Sequence, residues 1–157
     1  MYRRILVPLE TTPTDRIILA HVRELATLCR ASVILVHVAD GWAARNAQQL
    51  RLRESEEMQR DRDYLETECA ALRASGLDAE CVLAGGDPAT EIVAAAEREG
   101  CDLIAMGVHG HRGLQDVIYG STANSVRHRA MIPVLMVRDP DGATRRTPMS
   151  VKAVPRP

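Results

Sequence analysis

The stretch 103–122 reads LIAMGVHGHRGLQDVIYGST and contains an apolar run, a glycine-spaced loop and the beginning of a helical segment. Residues 103–106 are apolar throughout, which is typical of a strand inside a sheet. The chain continues as Gly107-Val108-His109-Gly110 and, after nine intervening residues, as Gly120-Ser121-Thr122. Because glycine allows close approach to the backbone, the stretch predicts a strand, a contact loop and a helix in that order.

Four further apolar runs rich in branched residues lie at residues 5–9, 32–38, 79–83 and 134–137. Segments with helical periodicity fill the intervals between the runs. Strands with near-continuous apolar sequence are buried on both faces, so this alternation predicts a parallel sheet with helices on both sides. The sequence therefore favours a doubly wound α/β domain.

Two of the predicted helices have well-marked beginnings. Thr12 is a candidate N-cap, with Pro13 at the first helical position and Asp15 in the first turn. Asp87 and Pro88 repeat this pattern before the helix that precedes the glycine-bearing strand. We expect both helices to form.

One domain is predicted for residues 1–138, followed by a tail at residues 139–157. The tail contains four prolines and few large apolar residues, so we expect it to be poorly ordered. The charged segment 42–75 keeps a clean apolar stripe only in its second half. Residues 43–57 are therefore interpreted as either a solvated helix or a lid over the site.

The composition argues against several classes of partner. A formal net charge of -1 gives no general attraction to nucleic acid or to an anionic membrane, and 3% aromatic residues offer no stacking platform for single strands. No run approaches the roughly 18 apolar residues that span a bilayer, and the beginning of the chain lacks the pattern of a signal peptide. We expect a cytoplasmic protein without nucleic-acid or membrane partners.

The cysteines show no redox or zinc-binding spacing. Cys29, Cys69, Cys81 and Cys101 form no CxxC pair. Reactive thiols need an exposed, electropositive setting that the sequence does not indicate. We expect reduced and mostly buried thiols.

The glycine-spaced stretch has the chemistry of a phosphate site. Gly107 and Gly110 leave room for backbone amides to approach phosphate oxygens. If the following helix begins near Gly120, the amides of Ser121, Thr122 and Ala123 are unpaired and lie at the positive end of the helix dipole. The hydroxyls of Ser121 and Thr122 add two donors.

Three segments are expected to meet at the carboxyl edge of the sheet, where open α/β sheets bind ligands. Residues 8–10 follow the first strand, residues 38–40 follow the second, and the glycine loop follows the fourth. Together they predict a clamp for the base, sugar and phosphate of a nucleotide.

The pattern Gly107-x2-Gly110-x9-Gly120-Ser121 resembles the phosphate-binding motif of the ATP-binding branch of the universal stress protein family. The resemblance covers residues 2–138 through the segments Arg4-Ile5-Leu6-Val7-Pro8, Leu35-Val36-His37-Val38, Gly86-Asp87-Pro88 and Pro133-Val134-Leu135-Met136-Val137. It implies a five-stranded parallel sheet in the order 3-2-1-4-5 and a homodimer formed through the last strand. It also implies ATP, ADP or AMP as the ligand, together with Mg²⁺.

The resemblance places adenine near the residues at the ends of the first two strands, ribose near Glu10 and Gly107, and phosphates near the remaining motif residues. The complete set of candidate nucleotide-binding residues is Pro8, Leu9, Glu10, Val38, Met106, Gly107, His109, Gly110, Gly120, Ser121, Thr122 and Ala123. Glu10 departs from the family, which usually has aspartate there. Its extra methylene carries the carboxylate roughly 1.5 Å further into the cleft.

Dedicated catalysis is poorly supported, because neither a nucleophile elbow nor a Walker A lysine is present. We assign no catalytic residue and no metal ligand, and expect at most slow ATP hydrolysis. Two functions stay open. One is a nucleotide-dependent regulatory module of the stress response, and the other is a nucleotide-free homodimeric scaffold that binds a client protein.

Overall fold

The structure is a computed structural model that describes residues 1–40, 51–108 and 116–138. Its strands are β1 (Arg4–Pro8), β2 (Ser32–Asp40), β3 (Ala79–Gly86), β4 (Leu103–Val108) and β5 (Val134–Arg138). Its helices are α1 (Thr14–Cys29), α2 (Arg51–Ala74), α3 (Pro88–Arg98) and α4 (Asp116–Arg129). All five predicted apolar runs form strands, although Leu9, the last residue of the first run, lies just beyond β1.

The five strands form one parallel sheet in the order β3-β2-β1-β4-β5. Leu6 of the central strand lies between Ile34 of β2 and Ile104 of β4, and Ile104 pairs in turn with Val134 of β5. The predicted doubly wound sheet and its strand order are confirmed.

Helices cover both faces of the sheet, and successive residues of β1 alternate between the faces. Ile5, Val7 and Leu9 belong to the apolar cluster under α1 and α2, whereas Leu6 belongs to the cluster under α3 and α4. Each fully buried aliphatic side chain stabilises the folded state by about 1.5–3 kcal/mol relative to an exposed one. β1 therefore stabilises both layers at once.

Helix α1 begins differently from the prediction. Its N-cap is Pro13, and no side chain caps it. Thr12 does not cap the helix, because its Oγ1 has no hydrogen-bond partner in the described part of the chain. Its N–H donates to the Asp15 carboxylate at 3.2 Å, and its carbonyl accepts the Asp15 N–H at 3.0 Å. The predicted cap at Thr12, with Pro13 as the first helical residue, is wrong. The Asp15 carboxylate orders the approach to the helix instead.

Helix α3 begins as predicted. Asp87 is its N-cap and accepts the N–H of Thr90 at 2.9 Å, and Pro88 occupies the first helical position. The proline has no N–H to leave unpaired there, so the cap and the proline complement each other.

Helix α2 is longer than the apolar stripe that predicted it. Its described part starts at Arg51, so the later part of the segment 43–57 is helical. The rest of that segment, like the glycine-loop residues 109–115 and the tail 139–157, lies outside the described residues. The lid remains a hypothesis.

All four cysteines are free thiols, as predicted. Cys69 and Cys101 are buried, and Cys29 and Cys81 are half-buried. Burial raises the pKa of the Cys69 thiol, and it raises the pKa of Cys101 to about 11. Both buried thiols are therefore protonated near neutral pH.

None of the helices in the described ranges combines the length and the apolar character needed to cross a bilayer.

Candidate functional site

The candidate site is the crevice between the carboxyl ends of β1 and β4, which are neighbours in the sheet. Helix α1, which follows β1, packs on one face, and helix α4, which follows β4, packs on the other. Chain segments that leave two adjacent strands toward opposite faces open a crevice between them. This geometry brings the end of β1 beside the glycine-bearing end of β4.

The β1 side of the crevice is firmly held. Pro8 and Leu9 are buried, and the Leu9 N–H donates to the Val36 carbonyl at 2.8 Å, which extends the pairing with β2. Val38, further along β2, is half-buried against the α3 and α4 cluster. Glu10, the next residue after Leu9, is exposed. The chain thus passes from buried residues at the end of β1 to an exposed carboxylate at Glu10 within two residues.

Met106 and Ala123 are also among the candidate residues, but their side chains lie in the core. Met106 is 4% exposed and Ala123 is 6% exposed, and both belong to the cluster under α3 and α4. Any contact they make with a ligand must therefore use the backbone.

Gly107 is required by packing as well as by the proposed loop chemistry. A Cβ at this position would lie 2.9 Å from Thr14 Cγ2 and 3.5 Å from Ile18 Cβ. Helix α1 therefore approaches β4 at a distance that only glycine allows. This contact fixes the first turn of α1 beside the crevice.

The beginning of α4 corrects the predicted phosphate contacts. The described part of α4 already starts at Asp116, more than one helical turn before Ser121. Residues beyond the first turn donate their N–H groups within the helix. The amides of Ser121, Thr122 and Ala123 are therefore inside the helix, and the prediction that they are unpaired at its beginning is wrong. The hydroxyl-bearing residues differ in exposure: Ser121 is exposed and Thr122 is half-buried.

Gly120 lies in the interior of α4 rather than at its beginning. Glycine in a helix interior costs roughly 0.5–1 kcal/mol relative to alanine. The part of α4 that precedes Ser121 is thus the part with the weakest helical propensity. His109 and Gly110, the remaining candidate phosphate contacts, lie outside the described residues.

Asp15 organises the β1–α1 loop (residues 9–13), a role that sequence reasoning did not assign to it. Its Oδ1 accepts the Glu10 N–H at 3.2 Å, and its Oδ2 accepts the Thr12 N–H at 3.2 Å and the Tyr64 hydroxyl at 2.8 Å. Asp15 is only 3% exposed. A buried carboxylate is tolerated when donors surround it, and here both oxygens are used. The loop and helix α2 are thereby joined through one side chain.

His37 makes a second connection between the loop and α2. Its Nδ1 lies 2.9 Å from the Leu9 carbonyl oxygen, and its Nε2 lies 3.4 Å from the Asp61 carboxylate. A carbonyl only accepts, so Nδ1 carries a hydrogen and donates it. The ring therefore links the end of β1 to a helix that follows β2.

The electrostatics of Tyr64 agree with this arrangement. Burial, reinforced by the hydrogen bond to Asp15, raises the pKa of the Tyr64 hydroxyl. The hydroxyl therefore remains a donor throughout the physiological pH range. Among the described residues, no group of three His, Cys, Asp or Glu side chains is placed to hold a metal ion.

Part of this network has a signal in the sequence. His37 is a polar residue inside an apolar strand, which marks a buried side chain that needs partners. Asp15, by contrast, reads as an ordinary acidic residue in a first helical turn. Its partner Tyr64 is 49 positions away, so their contact depends on the folded arrangement.

Replacing Gly107 by alanine tests the packing of α1 on β4. We expect Gly107→Ala to lower the free energy of unfolding by about 1–3 kcal/mol because of the clash with Thr14 Cγ2. Thr14→Ser removes that methyl group and should restore much of the loss in the double variant. Denaturant titrations measure both changes. The control is Gly85→Ala, since a Cβ there meets nothing within 4 Å. Equal losses with and without Thr14→Ser would contradict the contact.

Comparison with known proteins supports the assignment of the fold. The universal stress protein family model matches residues 1–138. Universal stress protein MJ0577 of Methanocaldococcus jannaschii is 32% identical over 158 residues, which cover 88% of this chain and 96% of that protein. Its solved structure matches with a TM-score of 0.75 at 31% identity, over 88% of this chain and 97% of that one.

Two more distant solved structures share the fold. A universal stress protein in complex with cAMP matches at 19% identity and a TM-score of 0.66, over 87% of this chain and 97% of that one. The Archaeoglobus fulgidus protein in complex with dAMP matches at 22% identity and a TM-score of 0.62, over 86% of this chain and 97% of that one. The family model and the M. jannaschii relative each span most of the chain. The chain therefore belongs to the universal stress protein family.

Proposed function

We propose that this protein binds an adenine nucleotide in the crevice and uses it to control an interaction with another protein. The observation that carries the proposal is the meeting of the β1–α1 loop and the glycine-bearing end of β4 at the point where the strand order reverses. Ligands of open α/β sheets bind there. ATP is the proposed ligand, with ADP and AMP as related forms.

The proposed contacts follow the order of base, sugar and phosphate. Half-buried Val38 offers an apolar side chain, which suits adenine, and the buried residues Pro8 and Leu9 contribute their backbone. The Glu10 carboxylate accepts a hydrogen bond from a ribose hydroxyl. Phosphates lie toward Gly107 and the glycine motif that follows it, and Mg²⁺ arrives bound to the triphosphate.

Helix α4 adds a condition to phosphate binding. The amides of Ser121 and Thr122 become available only if the helix shortens to begin near Gly120. Because Gly120 weakens the helix at that point, the turn before Ser121 is the least costly one to unwind. We propose that phosphate contacts replace the hydrogen bonds of that turn.

Two relatives support adenine as the base. One universal stress protein was solved with cAMP and another with dAMP. Both ligands share the adenine ring and one phosphate, although their sugars differ. An adenine-selective pocket would account for both.

The competing function is a nucleotide-free scaffold for a client protein. A scaffold needs packing at Gly107 but has no need of the later glycines and hydroxyls of the motif. The complete motif therefore favours the nucleotide.

Calorimetric titration of nucleotide-stripped protein with Mg²⁺-ATP, ADP and AMP tests the proposal. We expect saturable binding at one site per chain. Gly110→Asp should abolish it, because the new carboxylate would repel the phosphates. The matched control is Ala70→Asp, which adds the same charge on an exposed position of α2. If the folded parent binds none of these nucleotides, the scaffold becomes the better explanation.

A second titration tests the role of Glu10. If its carboxylate accepts a ribose hydroxyl, the parent should bind ATP about tenfold more tightly than 2′-deoxy-ATP or 3′-deoxy-ATP. Glu10→Ala should bind all three with similar, weaker affinity. Glu66→Ala, at an exposed position of α2, is the control and should keep the preference. A preference unchanged in Glu10→Ala would show that another group contacts the sugar.

We also propose a homodimer formed through β5. Within the described ranges, β5 pairs with β4 alone, so its outer edge offers unpaired backbone groups. Met136, on this strand, is 42% exposed. A second copy of β5 would cover both the edge and the methionine.

Sedimentation velocity tests the homodimer. The parent should sediment as a dimer, and Met136→Lys should shift it toward the monomer because two like charges would meet at the interface. Met58→Lys is the matched control, since Met58 is equally 42% exposed but lies on α2. A parent that is monomeric at high micromolar concentration would contradict the proposal.

A further inference from the structure

We propose that helix α2 sets the shape of the nucleotide-contacting loop through two positioning residues, Tyr64 and Asp61, which hold Asp15 and His37. This inference rests on the proposed function and deepens it by naming residues that act on the site without touching the ligand. The observation behind it is that both polar connections from α2 end on the backbone of residues 9–12.

The first connection runs through Asp15. The Tyr64 hydroxyl donates to Oδ2 at 2.8 Å, and the same carboxylate accepts the N–H groups of Glu10 and Thr12, each at 3.2 Å. Removing the hydroxyl would leave a buried carboxylate with one donor fewer. The carboxylate would then hold the two amides less firmly.

The loop needs such support because its backbone is strained. Thr11, between the two bound amides, has a φ of 60°. This left-handed conformation costs a residue other than glycine roughly 1–2 kcal/mol. Surrounding contacts must therefore maintain this conformation. The Asp15 carboxylate does so by accepting backbone hydrogen bonds on both sides of Thr11. The direction of the chain at Glu10, where it leaves β1, depends on these two hydrogen bonds.

The second connection runs through His37. Its Nδ1 donates to the Leu9 carbonyl at 2.9 Å, while Asp61 lies 3.4 Å from Nε2 on the other side of the ring. The side chains of His37 and Asp61 are 13% and 19% exposed, so solvent competes little for these contacts. Nδ1 donates to the carbonyl of Leu9, so Nε2 donates to the Asp61 carboxylate in the imidazolium form of the ring, and in that form Asp61 orients the imidazole that holds Leu9.

The two connections leave α2 from a single face. Asp61 and Tyr64 are three residues apart, which places them next to each other on a helix. Leu65, beside them, is 1% exposed and anchors this part of α2 in the core. Movement of this part of the helix would thus disturb both connections together. By reciprocity, a nucleotide that favours the observed loop also favours the observed docking of α2.

Hydrogen exchange in the ligand-free protein tests the positioning directly. Tyr64→Phe keeps the ring and removes the hydroxyl, and we expect the amides of Glu10 and Thr12 to exchange about five- to tenfold faster. Tyr2→Phe is the matched control, since Tyr2 packs against the same apolar cluster. Unchanged exchange at Glu10 and Thr12 would overturn the inference, as would a uniform rise across the whole sheet.

Nucleotide titrations test the consequence for binding. Tyr64→Phe and Asp61→Ala should each weaken ATP binding about fivefold. Asp63→Ala, which loses an exposed hydrogen bond to Gln59 on the same helix, should not. In the background of Asp15→Ala, Tyr64→Phe should change the affinity less than twofold, because the connecting acceptor is gone. Fully additive losses would mean that Tyr64 acts by general destabilisation and would overturn the inference.

The two experiments separate this inference from the proposed function. If the parent binds no nucleotide, the proposed function fails, and exchange at Glu10 and Thr12 alone decides whether α2 shapes the loop. If the parent binds but Tyr64→Phe and Asp61→Ala bind equally well, the proposed function stands and the positioning inference fails.

Discussion

The fold depends on the complete enclosure of the central strand. β1 has a neighbour on each side and a helical layer on each face, so neither its edges nor its faces can take a ligand. Its two ends are left, and the carboxyl end is the one that lies beside the glycine-bearing end of β4. Every feature of the candidate site follows from this constraint, because the chain must leave β1 there and turn into α1. The site is therefore where polar groups and backbone turns can occur without disturbing the core.

The strands were predictable because burial on both faces leaves a simple record, a short run of branched apolar residues, whereas the order of the strands came from the family resemblance. The beginning of α3 was predictable for a similar reason, since Asp87 needs only Thr90, three residues away, to cap the helix. The residues that determine the strands and the beginning of α3 thus lie within the elements themselves. Sequence reasoning works where the partners are close along the chain or where burial alone sets the residue type.

The predictions for the beginnings of α1 and α4 are wrong for different reasons. At α1, the Asp15 N–H that a Thr12 cap would have accepted donates to the Thr12 carbonyl instead, and Thr12 Oγ1 is buried without a hydrogen-bond partner in the described part of the chain. At α4, Gly120 predicts a helix beginning, but residues 116–120 continue the helix on its amino-terminal side. The network of Asp15, Tyr64, His37 and Asp61 was missed because its members come from distant segments.

The contact between Gly107 and Thr14 bears on how the glycine motif of this chain is interpreted. The glycine at the end of β4 is needed for α1 to lie against the sheet whether or not a ligand is present. A descendant of this protein that had lost nucleotide binding would still be under selection to keep the glycine at position 107. The packing contact does not require the later glycines of the motif. Those later glycines are therefore the positions that would reveal a loss of nucleotide binding.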